Sequence, residues 1–471
     1  MEEQAVAQPD PVKETRPNRT KRSGLAPVPD PMSPPSRPAT ARQVRSALGA
    51  CGSDRYIQYR SLSAIRYISP ETPRECMASI ETEVNRPAVP PAGARITAEI
   101  DIEPGEQTGG VERHVALCID TSGSMSGAKI SRARDGASWV FGLLEPADYV
   151  SVVAFDSSAE TLLGPVRWGD LGRDEAMGMV EALSAGGGTD MYAGLETARD
   201  SLMALGHDPE ASDDAVRRLL LLSDGKDKDH SVAEFEDLAR DVDASGVRIE
   251  AAGIGEDYNQ DTIRTLGTTA RGKWTHLEEA GDIEAFFGEA VESASSVVAA
   301  DAELVLDAAN GVEVSDVYRA LPQAQDVEPA WEANTATVKL PDLTERERQR
   351  VVMKVTAPAH EPAEGVPLVQ VRLRARGDEA TDRITVDYSE ETEELAEAND
   401  EVQLDHQETV VRTELGKGNV EVAETQVEQM TQVHGETEVV EEVARETEVV
   451  KEGGKAERSR ATKLVDEERL E

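Results

Sequence analysis

Asp120-Thr121-Ser122-Gly123-Ser124-Met125-Ser126-Gly127 decides how this chain is read. It follows Val115-Ala116-Leu117-Cys118-Ile119, an apolar run too continuous for a strand with one wet face. The run predicts a buried parallel strand. Downstream, Ile130, Ala133, Ala137, Val140, Phe141 and Leu144 recur at helical spacing. The octapeptide is therefore a strand-to-helix turn. It gathers one carboxylate and two hydroxyls where backbone N–H groups also point.

Carboxylate and hydroxyl oxygens without a nearby His or Cys suit a hard cation, Mg²⁺, Mn²⁺ or Ca²⁺, rather than zinc. One loop supplies too few ligands, and two further stretches offer more. Gly186-Gly187-Gly188-Thr189-Asp190 lies between helical segments, and Ser223-Asp224-Gly225 ends the run Leu219–Leu222. Asp120-x-Ser122-x-Ser124, then Thr189, then Asp224 resembles the metal-ion-dependent adhesion site of von Willebrand factor type A domains. A helix-capping cluster is the plain alternative, since Ser and Asp lead the cap preferences.

The resemblance implies that the hydroxyls of Ser122, Ser124 and Thr189 coordinate Mg²⁺ (or Mn²⁺ or Ca²⁺) directly, with Asp120 and Asp224 bound directly or through water. It implies one open position that a Glu or Asp carboxylate of a protein partner fills. The expected function is metal-dependent protein–protein binding by an adaptor or scaffold in an intracellular complex, with an AAA+ ATPase among the partners the family allows. An enzyme is not expected. A phosphoryl-transfer site with Asp120 as nucleophile would need a second acid two positions on, and Ser122 stands there. No GxxxxGK[ST] phosphate loop occurs. Asp224-Gly225-Lys226-Asp227-Lys228-Asp229 lacks the EF-hand spacing and reads as a solvated acidic loop. A structural protein with a vestigial site is the third reading.

Charge narrows the partners. The chain of 471 residues has 92 Asp and Glu against 49 Lys and Arg, a formal net charge of −43. Such a chain repels nucleic acid and anionic membranes. Aromatics at 4% leave little for base stacking. Abundant carboxylate with scarce Lys resembles adaptation to a salt-rich cytoplasm, as in halophilic archaea. Cys51, Cys76 and Cys118 are widely spaced and fit neither a disulfide framework nor a zinc site. No apolar run approaches the ~20 residues of a membrane span, and no apolar stretch follows the basic N-terminal residues as in a signal peptide. The expected location is cytoplasmic.

Around the central motif the chain divides by pattern. Residues 1–52 are Pro-rich with a basic cluster at Arg16, Arg19, Lys21 and Arg22, and predict a disordered tail. Residues 53–110 alternate as strands, at 56–59, 64–68, 80–84 and 96–102. Residues 111–298 alternate strand and helix, the pattern of an α/β, doubly wound, Rossmann-like domain with a parallel sheet. Its last helix is predicted over Ile283–Val298. Residues 299–390 return to strands and predict a β-sandwich shared with 53–110, so that the α/β domain is an insert. Residues 391–471 are Glu- and Val-rich and predict an acidic, helical, partly disordered appendage. Gly416-Lys417-Gly418-Asn419 turns it back, and the charged end from Lys455 is expected to fray.

The excess of carboxylates repels itself, and salt screens that repulsion as the Debye length falls from ~10 Å at 0.1 M to ~3 Å at 1 M. The thermal midpoint is therefore expected to rise with KCl. A flat profile between low and molar salt removes the halophile reading.

Overall fold

The computed structural model describes residues 78–106, 110–212, 214–345, 347–375 and 378–462. The expected tail 1–52, the expected strands at 56–59 and 64–68, and Cys51 and Cys76 lie outside the described residues. Two antiparallel strands, β1 (Ala78–Val84) and β2 (Ala94–Pro104), come first. The α/β segment follows: β3 (Arg113–Asp120), α1 (Ala128–Leu143), β4 (Tyr149–Phe155), β5 (Ala159–Arg167), α2 (Arg173–Glu181), α3 (Met191–Ala204), β6 (Val216–Ser223), α4 (Val232–Ala244), β7 (Val247–Ile254), α5 (Gln260–Thr269), β8 (Trp274–Leu277) and α6 (Asp282–Ser295).

These strands form one six-stranded sheet in the order β5-β4-β3-β6-β7-β8, parallel except for β5 at one edge. Both faces are covered, which is why β3 has no wet side. Val115, Leu117 and Ile119 pack with α1, α2 and α6, where Phe141, Val180 and Phe287 sit. Ala116 and Cys118 face α3, α4 and α5, against Leu195, Phe235 and Leu266. The period of two along the strand thus feeds two cores. Helices α1 and α6 touch closely at Gly136, where a Cβ would fall 2.6 Å from the Phe287 ring. From β3 the chain first builds outward to β4 and β5, then returns to lay β6 on the other side of β3. The sheet order reverses there, and the carboxyl ends of β3 and β6 flank the crevice in which open sheets bind ligands.

After α6 the chain continues through β9 (Glu303–Ala308), β10 (Glu313–Leu321), β11 (Thr335–Lys339), β12 (Gln349–Ala357), β13 (Ala363–Ala375) and β14 (Asp378–Tyr388). Strand β2 pairs with β12 from Ala94 to Ile102, with Ile100 opposite Val351. The segments before and after the α/β domain therefore share a sheet. That sheet and a second one centred on β9, β13 and β14 turn their apolar faces into one core, with Ile100, Val351 and Val355 meeting Leu304, Val371 and Ile384.

Two local expectations are corrected. Helix α6 stops at Ser295 instead of running to Val298, because Val297–Ala299 becomes a short strand antiparallel to Leu343–Thr344. The charged segment from Lys455 is not frayed over its first turns. After α7 (Asp400–Lys417), α8 (Val420–His434) and α9 (Glu438–Glu452), residues Lys455–Ala461 form α10. It lies against β8, whose outward His276 N–H donates to Ser459 Oγ at 3.1 Å. An edge strand carries unpaired backbone groups, and α10 supplies a partner for one of them. The turn at 416–419 is as the glycines suggest: Gly418 closes α7 at φ 80°. Helices α7 to α9 bury Val411, Leu415, Met430 and Val443 around Arg412, which pairs with Glu408 at 2.8 Å and Glu446 at 2.6 Å.

The sheet is fixed to the strand layers through charge. Arg218 of β6 and Arg248 of β7 reach Asp342 at 2.7 and 3.2 Å, and Arg248 also reaches Asp301 at 2.6 Å. Arg271 joins Asp301 at 2.9 Å and Asp243 at 2.5 Å. The side chains of Arg218, Arg248 and Asp342 are only 4%, 2% and 4% exposed. Removing the acid takes from the buried Arg218 its nearest carboxylate, leaving it Glu250 at 3.8 Å, and takes from the buried Arg248 one of its three carboxylates. Asp342→Ala is therefore expected to lower stability by about 3–5 kcal/mol, measured by chemical denaturation. The loss should persist in molar salt, because solvent ions do not screen a buried pair; a loss that salt repairs would mark the cluster as peripheral.

Candidate metal centre

Each strand end delivers its side chains for a local reason. Strand β3 is buried throughout, so Asp120 arrives at the crevice wholly covered. Thr121 then turns the chain, its N–H and Oγ both donating to the Phe155 carbonyl, at 2.7 and 3.0 Å. Gly123–Met125 is a single 3-10 turn anchored by the buried Met125. Gly127, at φ 81°, makes the left-handed step before α1 begins. The glycine loop is tied to this turn. Gly186 N–H donates to the Thr121 carbonyl at 2.7 Å and Gly123 N–H to the Gly187 carbonyl at 3.3 Å. Gly187 has φ 80°, and a Cβ there would lie 2.6 Å from an Asp156 carboxylate oxygen. Close approach of the glycine loop to the turn after β4 thus requires glycine.

The five expected residues meet. Asp120 Oδ1 accepts the Ser122 N–H at 2.7 Å. The hydroxyls of Ser122 and Ser124 lie 3.0 Å apart, and Ser124 Oγ donates to Asp224 Oδ1 at 2.6 Å. A Cβ on Gly225 would be 2.7 Å from Thr189 Oγ1 and 3.3 Å from Asp120 Oδ2, which puts both oxygens next to residue 225 and explains the glycine after Asp224. Three loops therefore converge two carboxylates and three hydroxyls on one spot.

Two further residues belong to the site. Ser223 Oγ donates to Asp120 Oδ2 at 2.5 Å, and the Lys129 ammonium, from the first turn of α1, donates to Asp224 Oδ2. Ser223 stands in the sequence beside Asp224, and the register of β6 against β3 is what turns it toward Asp120. Lys129 becomes visible only once the 3-10 turn folds α1 back over the crevice.

Asp120 and Asp224 are both fully buried. Burial raises the pKa of Asp120 above the usual carboxylate range; hydrogen bonds from Ser223 and Ser122 oppose the rise, and the Asp224 carboxylate adds to it. Lys129 compensates one of the two charges. The remaining negative charge, with an all-oxygen donor set, fits a hard divalent cation, which prefers carboxylate, hydroxyl and water ligands.

Residues 114–289 match the von Willebrand factor type A domain model. An uncharacterized protein of Synechocystis sp. is 25% identical over 241 residues, covering 50% of this chain and 55% of its own length. Inter-alpha-trypsin inhibitor heavy chain H1 of Sus scrofa is 26% identical over 187 residues, 38% of this chain and 21% of that protein. The chain thus spans about half, or much less, of these relatives. Among solved structures, a von Willebrand factor type A protein from Catenulispora acidiphila superposes with a TM-score of 0.68 at 18% identity, covering 84% of this chain and 99% of that one. The ArnB paralog VWA2 from Sulfolobus acidocaldarius gives 0.56 at 18% identity, covering 82% and 97%. These likenesses are of fold, and they extend beyond the α/β segment into the flanking sheets. Parallel sheet, helix placement and family model agree: residues 114–289 of this chain form a von Willebrand factor type A domain.

Proposed function

We propose that this protein binds other proteins through a divalent cation, Mg²⁺ in the first place, held by Asp120, Ser122, Ser124, Thr189 and Asp224. The supporting observation is the convergence of three loops on two buried carboxylates, with one ammonium group, that of Lys129, set against Asp224. Mg²⁺ prefers six oxygen ligands and retains waters where protein ligands run out. A water position facing the crevice is exchangeable for a carboxylate of a partner. The body is strongly acidic, so a partner's Glu or Asp gains little by approaching unless the cation is in place. Metal loading then controls docking, which suits an adaptor in a larger assembly, an AAA+ ATPase complex among the candidates.

The geometry favours this over phosphoryl transfer. Both oxygens of Asp120 already accept short hydrogen bonds, from Ser122 and Ser223, which damps its nucleophilicity. Position 122 offers a hydroxyl whose neighbour is another hydroxyl, with no acid to protonate a leaving group.

Asp120→Ala is expected to abolish Mg²⁺ and Mn²⁺ binding in calorimetric titration while circular dichroism keeps its native form, since no large apolar group is lost. Unchanged metal affinity sinks the assignment. The partner interaction is expected to vanish with EDTA and with Thr189→Ala, and to depend on one partner carboxylate. Substituting each partner Asp and Glu by its amide, with capture scored in Mg²⁺, identifies it. Capture that survives EDTA places the interface elsewhere.

A further inference from the structure

Beside this site lies a second group of donors with different chemistry. One oxygen each from Asp190 and Asp227 and a ring nitrogen of His230 all lie within 4.8 Å of one another. The chain has 92 acidic residues, so clustered carboxylates alone mean little, but it has only 7 histidines. This histidine is held in place: its ring stacks on Tyr192 at 4.4 Å and 16°, and meets Phe235 edge-on at 6.1 Å. Its Nδ1 lies 3.3 Å from both oxygens of Asp227. That distance is long for a hydrogen bond. It equals the spacing of neighbouring ligands around a tetrahedral ion with bonds of about 2.0–2.1 Å, roughly 3.3–3.4 Å.

Asp227 makes the same point through burial. Its side chain is 2% exposed, and it pairs with His230, itself 28% exposed. A buried carboxylate calls for a compensating positive charge or metal. Backbone N–H groups satisfy part of it: Asp229 and His230 donate to Oδ1 at 2.9 and 3.0 Å, and Tyr192 to Oδ2 at 3.4 Å. Asp190 caps α3 with Oδ1, accepting the Ala193 N–H at 3.0 Å. Asp227 Oδ2 and the Asp190 carboxylate keep lone pairs for a metal.

We propose that Asp190, Asp227 and His230 form a second metal site, one that takes Zn²⁺. An imidazole with two carboxylates is a borderline donor set that suits zinc, whereas the all-oxygen site next to it suits Mg²⁺. Three protein ligands leave a fourth position for water. The two sites alternate along the chain, with Thr189 next to Asp190 and Asp224 three residues before Asp227. A zinc ion therefore pins together the same two loops that carry ligands of the first site. This proposal stands apart from the Mg²⁺ reading.

The test uses the full chain carrying Asp120→Ala, in excess Mg²⁺, titrated with Zn²⁺ by calorimetry. One Zn²⁺ per chain is expected to bind. Adding His230→Gln or Asp190→Asn should weaken it on the order of 100-fold, because even outer-shell partners of a metal contribute 10–100-fold. Zinc binding absent from the Asp120→Ala chain, or unchanged by both further substitutions, overturns the proposal. Should either substitution disturb the fold, ¹⁵N-histidine spectra of the Asp120→Ala chain give a second readout without altering the site. Zn²⁺ should shift the ring nitrogens of His230, identified by its contact with Tyr192; a shift at another histidine alone, or none, overturns it. Failure of the first site shows instead as absent Mg²⁺ binding in the wild-type chain, so the two outcomes are separable.

Discussion

Two carboxylates buried side by side, at the ends of two neighbouring parallel strands, are the constraint around which this molecule is arranged. Asp120 and Asp224 are wholly covered by the loops that surround them. Neither has a bulk-water shell to stabilise its charge, and burying an uncompensated carboxylate is costly. The fold answers with hydroxyl and amide donors from Ser122, Ser124 and Ser223 and with one ammonium from Lys129. These donors come from strand ends, a 3-10 turn and the first turn of a helix, so the sheet register and the loop glycines serve the same electrostatic requirement. The parallel sheet holds the two acids in place because β3 and β6 are neighbours with both faces packed.

Much of this was legible in the sequence because the signals are local. The uninterrupted apolar runs before Asp120 and Asp224 mark strands covered on both faces, and the hydroxyls follow within five residues. Thr189 was legible through its glycines. Partners set by tertiary structure were not. Lys129 meets Asp224 across 95 positions, and Arg218 meets Asp342 across 124. Nothing in the composition of either segment selects those pairs in a chain so rich in acid. The helix end at Ser295 was obscured for a related reason. Val297 to Ala299 carry apolar side chains that suit a helix as well as a strand, and the pairing with Leu343–Thr344 decides between them. Docking of α10 was hidden because its partners are distant in sequence: Ser459 meets His276, and the Lys455 ammonium reaches the Glu256 and Tyr258 carbonyls.

Arg218 of β6, Arg248 of β7 and Arg271, just ahead of β8, are the charged counterpart of the two buried acids of the crevice. They lie at opposite ends of the sheet, as β6 shows, with Arg218 near its start and Asp224 just past its end. One end is closed by mutual neutralisation against the strand layers. The other is left with more negative than positive charge. The α/β domain is thus anchored where its charges balance, and chemically open where they do not.

The pairing of β2 with β12 also sets an order of events during synthesis. Strand β2 ends at Pro104, and β12 begins at Gln349. At about 5–20 residues per second, on the order of 10–50 s separates their emergence from the ribosome. Throughout that interval the β1–β2 hairpin has a hydrogen-bonding edge and an apolar face with no partner. Its other face carries Glu81, Glu83, Glu99, Asp101 and Glu103. Like charges at that density discourage one nascent hairpin from adding to another. Acids that the finished protein covers in part, Glu99 and Asp101 against Arg350, thus first keep an unfinished sheet from finding the wrong strand.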